Sequence, residues 1–177
     1  MVSRFATASL AAALAAAIPA YAISEPSGLA PRLRAPAGEV PAFVLSGNGV
    51  IVYQCKATVS NPYQYSWYFI APDATLYNGS HEVARMAQPN LLEALSDDTS
   101  VSGILRASQP ASGSLPWTLA QAVPMGDSGI FAGVTSFQRV NTQGGLAPNT
   151  GCSADNVGQE ARVAFNANYY FYKRRGT

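Results

Sequence analysis

The chain contains little of the chemistry from which metal centres and most hydrolytic sites are built. It has one histidine, His81, and two cysteines, Cys55 and Cys152, among 177 residues. A metal site made of several imidazoles is therefore excluded, and Arg85 stands where a zinc-protease helix beginning with His81-Glu82 needs its second histidine. The acidic spacing of a calcium loop and the glycine-rich cradle of a nucleotide site are also missing. We therefore expect no bound metal and no cofactor.

Charge is scarce as well. Charged residues make up 12% of the chain, and eleven Lys and Arg stand against ten Asp and Glu. Nucleic-acid binding needs a basic surface that this balance does not supply, so we expect no nucleic-acid partner. After residue 22 no apolar run reaches the roughly eighteen residues of a membrane-spanning helix, so we expect no membrane span.

The first 22 residues have the composition of a secretion signal. Arg4 gives a positive start, residues 5–18 are mostly apolar, and residues 20–22 have the Ala-x-Ala pattern of a cleavage site. The sequence predicts a signal peptide over residues 1–22, a mature chain that begins at Ile23, and a secreted or periplasmic location.

Both cysteines would then fold in an oxidising compartment. We predict one disulfide between Cys55 and Cys152, which in the chain-entropy model would restrict the unfolded state by about 4–5 kcal/mol. A reactive or redox thiol is the alternative. The chain has no C-x-x-C pair, and a catalytic cysteine needs a nearby histidine, so the structural bridge is favoured.

The mature chain divides into two parts by composition. Residues 23–48 contain four prolines and almost no hydrophobic periodicity, which predicts an extended leader. Residues 49–177 form the predicted single domain. Period-two alternation and turn signals predict strands there at residues 50–57, 63–70, 99–107, 114–123, 130–140 and 160–172.

Two shorter segments complete the prediction of the fold. Asn78-Gly79 predicts a further hairpin, whereas residues 90–95 fit a short strand and a turn of helix equally well. No convincing amphipathic helix of about ten residues is present. The sequence therefore predicts an all-β protein with an antiparallel β-sandwich or barrel-like fold and one disulfide.

Two short motifs resemble catalytic sites. Residues 126–129, GDSG, copy the sequence around the serine of chymotrypsin-like proteases, and His81, Asp97 and Ser128 follow in the matching order. A strand begins where that family continues with glycine and proline, so a turn is favoured. Asp97 and Asp98 could supply two carboxylates for glycoside hydrolysis, but neighbours in a strand point to opposite faces, and a solvated turn is favoured again.

Aromatic side chains on predicted strands can fill a core or line a ligand site. Alternation places one group on the inward face, where a core role is favoured: Trp67, Phe69, Phe165 and Phe171. It places a second group on the opposite face, where exposure is predicted: Tyr68, Tyr170 and Tyr172.

Arg139 alternates onto the same face as Phe131 and Phe137. A cation on an apolar face must be paired, which is favoured, or must point into a water-filled cavity. If Arg139 converged with Gln138 and His81, the three would form the polar end of a pocket for a small anionic or hydroxylated ligand. The candidate binding residues are His81, Gln138, Arg139, Trp117 and Tyr68.

Several motifs follow one another along the mature chain: G-V-x-x-Y-x-C at 49–55, Trp67, P-x-A-x-L at 72–76, G-x-H at 79–81, Pro116-Trp117, V-T-x-x-Q-R-V-N-T-x-G-G-x-A-P at 134–148, Cys152, and Y-Y-F-Y at 169–172. This order resembles a secreted family of bacteria and fungi, the domain of unknown function 3455. The resemblance implies a secreted, disulfide-bonded β domain and no particular activity. In that family a Pro-x-Trp segment and an Asp-Gly-Ser turn follow the histidine, whereas this chain has QPNLL at 88–92 and DDTS at 97–100. A pocket lined by that tryptophan would therefore be altered here.

These observations favour a non-catalytic, exported protein that binds a small molecule, a glycan or another envelope component. An extracellular hydrolase that uses His81 and a carboxylate is one alternative. A purely structural or stress-related secreted protein, which would lack a pocket, is another. The sequence leaves the oligomeric state open.

Overall fold

The protein folds as a closed antiparallel β-barrel. The computed structural model describes residues 23–176, in which eight strands follow one another around the barrel in chain order and β8 pairs back with β1. The strands are β1 (Glu39–Ala57), β2 (Tyr65–Asn78), β3 (His81–Gln88), β4 (Leu91–Ala94), β5 (Ser100–Ala111), β6 (Ser114–Met125), β7 (Ser136–Gly144) and β8 (Glu160–Arg174). The all-β prediction is confirmed, with the barrel as the architecture. Among these residues no helix is long and apolar enough to cross a membrane. The predicted signal peptide, residues 1–22, lies outside the described residues.

Strand β1 begins at Glu39, inside the segment expected to be an extended leader. Its first part pairs only with β8, starting at Glu39 opposite Arg174, and β2 joins from Ser46 onward. Glycine occupies a lumen-facing position of this strand, because a Cβ on Gly47 would lie 2.6 Å from the ring of Tyr169. Without a side chain at such positions, the strand lacks the apolar alternation by which strands are recognised.

In two other segments the structure decides between predicted alternatives or corrects the bounds of a predicted strand. Residues 91–94 form strand β4, so the helical alternative for this segment is excluded. The strand predicted at residues 130–140 begins only at Ser136, and the residues before it form a loop at the end of the barrel. Phe131 in this loop is fully buried. The apolar residues of the loop therefore reflect insertion into the barrel and not strand pairing.

Four phenylalanines fill the end of the barrel at which β1 begins and β8 ends: Phe43, Phe131, Phe137 and Phe171. The ring centroid of Phe171 lies 4.6 Å from that of Phe43, in a stacked arrangement, and 5.5 and 5.7 Å from those of Phe131 and Phe137. Full burial of such a ring contributes about 2–3 kcal/mol of hydrophobic free energy. We call this group the aromatic plug, this end of the barrel the closed end, and the opposite end the open end.

The predictions for the inward aromatics hold on β8 and fail on β2 near the open end. Phe165 and Phe171 are buried, as predicted. Trp67 is half-buried, and Phe69 is 50% exposed although it lies opposite the buried Tyr53 in the β1–β2 ladder. The prediction that Phe69 belongs to the core is wrong, because strand β2 extends beyond the packed part of the barrel.

Residues 23–38 pack against the outside of the barrel. Leu33 is fully buried there, and its carbonyl accepts a hydrogen bond of 2.6 Å from Gln138 Nε2. Tyr172 Oη donates to Gln138 Oε1, also at 2.6 Å, and Tyr172 is fully buried. The prediction that Tyr172 is exposed is therefore wrong. Its side chain does point outward, but the N-terminal segment contributes a second layer above it.

The predicted disulfide between Cys55 and Cys152 is present, with the two Cα atoms 5.4 Å apart. It joins the end of β1 to the loop of residues 145–159, which connects β7 and β8 at the open end. Trp67 Nε1 donates a 2.8 Å hydrogen bond to the carbonyl of Thr150 in the same loop. This loop is thus fixed to the barrel by one covalent bond and by polar contacts.

Candidate functional site

A pocket of about 250 Å³ enters the barrel on the side of the open end. Its apolar wall consists of Met86, Leu92, Leu105, Ala120 and Phe137, and its other lining residues are Asn90, Ser108, Pro116, Thr118, Arg139 and Tyr169. Eight strands enclose an interior that side chains can fill or that can hold one small ligand. This barrel is packed at the closed end by the aromatic plug and keeps a pocket beyond Phe137.

Short pairing and small residues make room for the pocket. Strand β4 pairs with β5 only from Ser100 to Ser102, so β5 continues beyond it. A Cβ on Gly103 would lie 2.5 Å from the ring of Phe137, which shows that the ring rests directly on the backbone of β5. Leu105 follows at the rim of the pocket and is 60% exposed. The wall next to β5 is therefore apolar and accessible.

Irregular backbone follows Arg139 on β7 and fixes this strand in place. Asn141 has φ 51°, and the pairing of β7 with β8 shifts register after Val140. Thr142 Oγ1 donates a 2.5 Å hydrogen bond to the carbonyl of Leu115 at the start of β6. Gly144 has φ 69°, and a Cβ there would lie 2.4 Å from a carbonyl oxygen of β8. The contacts of Thr142 and Gly144 thus fix the position of β7, the strand that carries Arg139.

Arg139 is a half-buried cation with one hydrogen bond, which its Nη2 donates to the carbonyl of Pro116 at 3.1 Å. Its Nε is buried and has no hydrogen-bond partner. In the described chain the salt bridge found joins Arg162 to Asp73, and none involves Arg139. Of the two situations expected for this cation, a charged partner or a cavity, the structure therefore shows the cavity. A poorly compensated buried charge lowers stability.

Tyr169 lies directly opposite Arg139 in the β7–β8 ladder and is 2% exposed. Its hydroxyl is buried and lies within hydrogen-bonding distance and geometry of no partner among residues 23–176. Burial raises the pKa of Tyr169 to about 12, although the nearby charge of Arg139 lowers it in part. Tyr53 provides a contrast, because its hydroxyl donates a 2.6 Å hydrogen bond to the carbonyl of Gly145. At neutral pH Tyr169 therefore offers the pocket a neutral hydroxyl without a protein acceptor.

Two of the candidate binding residues lie outside the pocket, on the outer face of the barrel. The side chain of Gln138 points to the opposite face of β7 from that of Arg139. It is fully buried between Leu33 and Tyr172. The ring of Trp117 lies against Gly28 of the N-terminal segment, 3.8 Å from the position of a Cβ there. Both side chains thus hold the N-terminal segment on the barrel.

The other two candidates are exposed or half-exposed at separate places. His81 is exposed at the β2–β3 hairpin, where it lies opposite Asn78, as the hairpin prediction at Asn78-Gly79 required. Tyr68 is half-buried on β2 opposite Gln54. The structure therefore does not bring His81, Gln138 and Arg139 together, and only Arg139 of the five candidates lines the pocket.

Asp97 accepts several hydrogen bonds at the closed end and has a structural role there. Its carboxylate accepts hydrogen bonds from the backbone N–H and hydroxyl of Thr99 and from the N–H of Ile130. Gly129, with φ 110°, approaches so closely that a Cβ would lie 2.6 Å from the carboxyl carbon. The hydrogen bond from Thr99 holds the pKa of Asp97 below its ordinary value. The GDSG motif is thus part of the loop that places Phe131 in the aromatic plug.

The described residues contain no protease triad and no metal centre. His81 forms no hydrogen bond or salt bridge with a carboxylate in this part of the chain. No group of three or more His, Cys, Asp and Glu side chains that could hold a metal ion occurs within residues 23–176.

A wider groove of about 580 Å³ lies beside β6 and the loop before β7. Its polar side chains already have partners, because Arg106 binds Gln121 and Ser136 Oγ donates a 2.5 Å hydrogen bond to Glu39. The smaller pocket differs from this groove in containing buried polar atoms that the protein does not satisfy. We therefore take the smaller pocket as the candidate site.

Sequence reasoning found Arg139 and missed Tyr169. The alternation of β8 does place Tyr169 on the inward face together with Phe165 and Phe171, where it looks like a core residue. A signal was present, since a phenolic hydroxyl on a core face needs a partner. The sequence could not show that Arg139 would be its neighbour, because the β7–β8 register depends on the bulge after Val140.

A family model described as a protein of unknown function, DUF3455, matches residues 36–102 and 95–173. The two matches together include all eight strands, except for Arg174, the last residue of β8. Comparison with curated proteins and comparison with solved structures give no match. The chain therefore belongs to the DUF3455 family.

Proposed function

We propose that the protein binds a small molecule in the open-end pocket and does not transform it. The observation that supports this proposal is a pocket that reaches into a closed barrel and contains two buried polar atoms without a protein partner, Arg139 Nε and Tyr169 Oη. Ligand sites are typically apolar cavities with a few convergent polar groups, and the mouth of a β-barrel is a common place for them. A volume of about 250 Å³ fits a molecule of metabolite size.

The alternatives receive less support from the described residues. A hydrolase would need a histidine near a carboxylate, and His81 is exposed without such a neighbour. The two aromatic candidates do not form one glycan surface, because Trp117 contacts the N-terminal segment and Tyr68 is half-buried on another strand. A purely structural protein gains nothing from unsatisfied polar atoms beside a cavity.

The proposal includes a location outside the cytoplasm. The disulfide between Cys55 and Cys152 supports it, because such bonds persist mainly in oxidising compartments. The composition of residues 1–22 supports it further. A pocket on an exported, rigid barrel suits the capture or carriage of a small molecule.

The pocket can be tested by blocking its rim. Leu105 lies at the rim, whereas its neighbour Ile104 is 48% exposed and lies outside the pocket lining. We expect Leu105→Trp to fill the entrance and Ile104→Trp to leave it unchanged. The measurement is a fragment library screened by ligand-observed NMR against the wild type and both variants, with Kd values of about 1 mM or below for the best fragments.

The expected result is a set of fragments that bind the wild type and Ile104→Trp and lose binding to Leu105→Trp. The proposal is wrong if no fragment binds the wild type. It is also wrong if Leu105→Trp, folded as judged by circular dichroism, binds the same fragments as the wild type.

A further inference from the structure

The polar end of the pocket contains hydrogen-bond donors that lack an acceptor. Arg139 contributes a guanidinium whose Nε is buried and unpaired, and Tyr169 contributes a hydroxyl that is buried and unpaired. The described lining residues include no Asp or Glu that could accept from them. Buried donors are satisfied in the great majority of native proteins. A ligand that brings an acceptor group into the pocket would satisfy both donors.

The two donors also define the charge that the acceptor should carry. Arg139 is permanently charged, and among residues 23–176 its guanidinium donates a hydrogen bond to the neutral carbonyl of Pro116 and forms no salt bridge. A guanidinium presents a planar set of donors that matches the two oxygens of a carboxylate. Since Tyr169 keeps its proton up to a pKa of about 12, it can donate a further hydrogen bond to the same group.

The remainder of the pocket defines the body of the ligand. The apolar part of the lining consists of Met86, Leu92, Leu105, Ala120 and Phe137. These side chains favour an apolar or aromatic group, whereas the other lining side chains with polar atoms, Asn90, Ser108 and Thr118, are uncharged. The volume of about 250 Å³ limits the ligand to a small molecule.

We infer that the pocket takes a small monocarboxylate with an apolar body, whose carboxylate is held by Arg139 and Tyr169. This inference rests on the proposed function and names its ligand class. A phosphate ester is the less suitable anion, because its second charge would meet no second cation in the described lining.

Three compounds with a common phenyl ring test the inference: phenylacetate, phenylacetamide and phenyl phosphate. We expect the wild-type protein to bind phenylacetate about tenfold more tightly than the neutral amide and more tightly than the phosphate, by isothermal titration calorimetry. Tyr169→Phe keeps the packing of the ring and should reduce the preference for phenylacetate over the amide about threefold or more. Arg139→Gln should abolish that preference.

Arg106→Gln is the matched control, because it removes the same charge from the outer face, where Arg106 binds Gln121. It should keep the preference of the wild type. The inference is overturned if the amide or the phosphate binds as tightly as phenylacetate, if phenylacetate does not bind, or if folded Tyr169→Phe retains the full preference. When fragments still bind and Leu105→Trp still blocks them, these results overturn the ligand class alone. When no fragment binds, the proposed function falls as well.

Discussion

The two ends of the barrel are stabilised in different ways. At the closed end the aromatic plug fills the interior, and Asp97 and Thr99 satisfy the backbone of the loop that carries Phe131. At the open end the disulfide and the Trp67–Thr150 hydrogen bond fix the long loop, while Arg139 and Tyr169 keep unsatisfied polar atoms beside a pocket. The difference indicates that packing supplies stability at the closed end, whereas the open end keeps polar atoms that the described residues do not satisfy; the proposed binding function accounts for this departure.

The largest expected effect is a loss of stability at the closed end. Phe171→Ala should reduce the free energy of unfolding by about 3–5 kcal/mol, because it leaves a cavity among three other rings. Phe69→Ala makes the same change at the open end, where the side chain is half-exposed, and should cost about 1 kcal/mol. Denaturant unfolding measures both values. Equal losses for the two variants would contradict the contrast between the ends.

The second prediction concerns the covalent bond at the open end. Replacing Cys55 and Cys152 together by serine should cost about 2–5 kcal/mol, since the bridge closes a separation of 97 residues. The same variant should increase hydrogen exchange mainly in residues 145–159. Mass spectrometry of exchanged peptides provides the measurement, and peptides from the closed end serve as the internal control. An increase that is equal at both ends would show that the disulfide does not act locally.

Much of this contrast could be predicted from the sequence, but its geometry could not. Alternation in β8 and the pair of cysteines indicated the barrel wall and the bridge, and alternation placed Arg139 on the inward face. The start of β1 was not predicted because Pro41, Gly47 and Gly49 interrupt the apolar alternation of residues 39–49. The burial of Tyr172 was not predicted, because it depends on the segment around Leu33, which is far away in the sequence. Alternation along one strand reports on one sheet and not on a layer added from elsewhere.

The third prediction reverses the usual sign of a core substitution. Arg139→Leu should raise the free energy of unfolding by about 1 kcal/mol, because it removes a half-buried charge that has no charged partner among the described residues and whose buried Nε is unsatisfied. Tyr169→Phe should be neutral or slightly stabilising for the same reason. Denaturant unfolding without added ligand tests both. A loss of more than about 2 kcal/mol in both variants would show that these groups stabilise the fold and that the open end is no exception.

The smallest expected effect is a change in the response to acid at the closed end. The folded-state pKa of Asp97 lies below its ordinary value of 3.8. Its stabilising contribution is therefore complete above that value and is lost as the pH falls through the lower folded-state pKa. Asp97→Asn should be less stable than the wild type at neutral pH and should lose less stability on acidification.

A series of unfolding curves between neutral and strongly acidic pH provides the comparison. Asp98→Asn is the control, since Thr99 and Ile130 donate their hydrogen bonds to the carboxylate of Asp97. The control should follow the acid response of the wild type. If Asp97→Asn also follows it, Asp97 does not stabilise the loop through its charge.

The pairing of the first strand with the last determines the order in which the chain can fold. The early part of β1 has β8 as its only partner, from Glu39 opposite Arg174 onward, so the wall there is incomplete until β8 has joined. Contacts between such distant parts of a chain form slowly. During synthesis, the apolar interior of the barrel would therefore stay exposed until β8 has been added and can pair with β1.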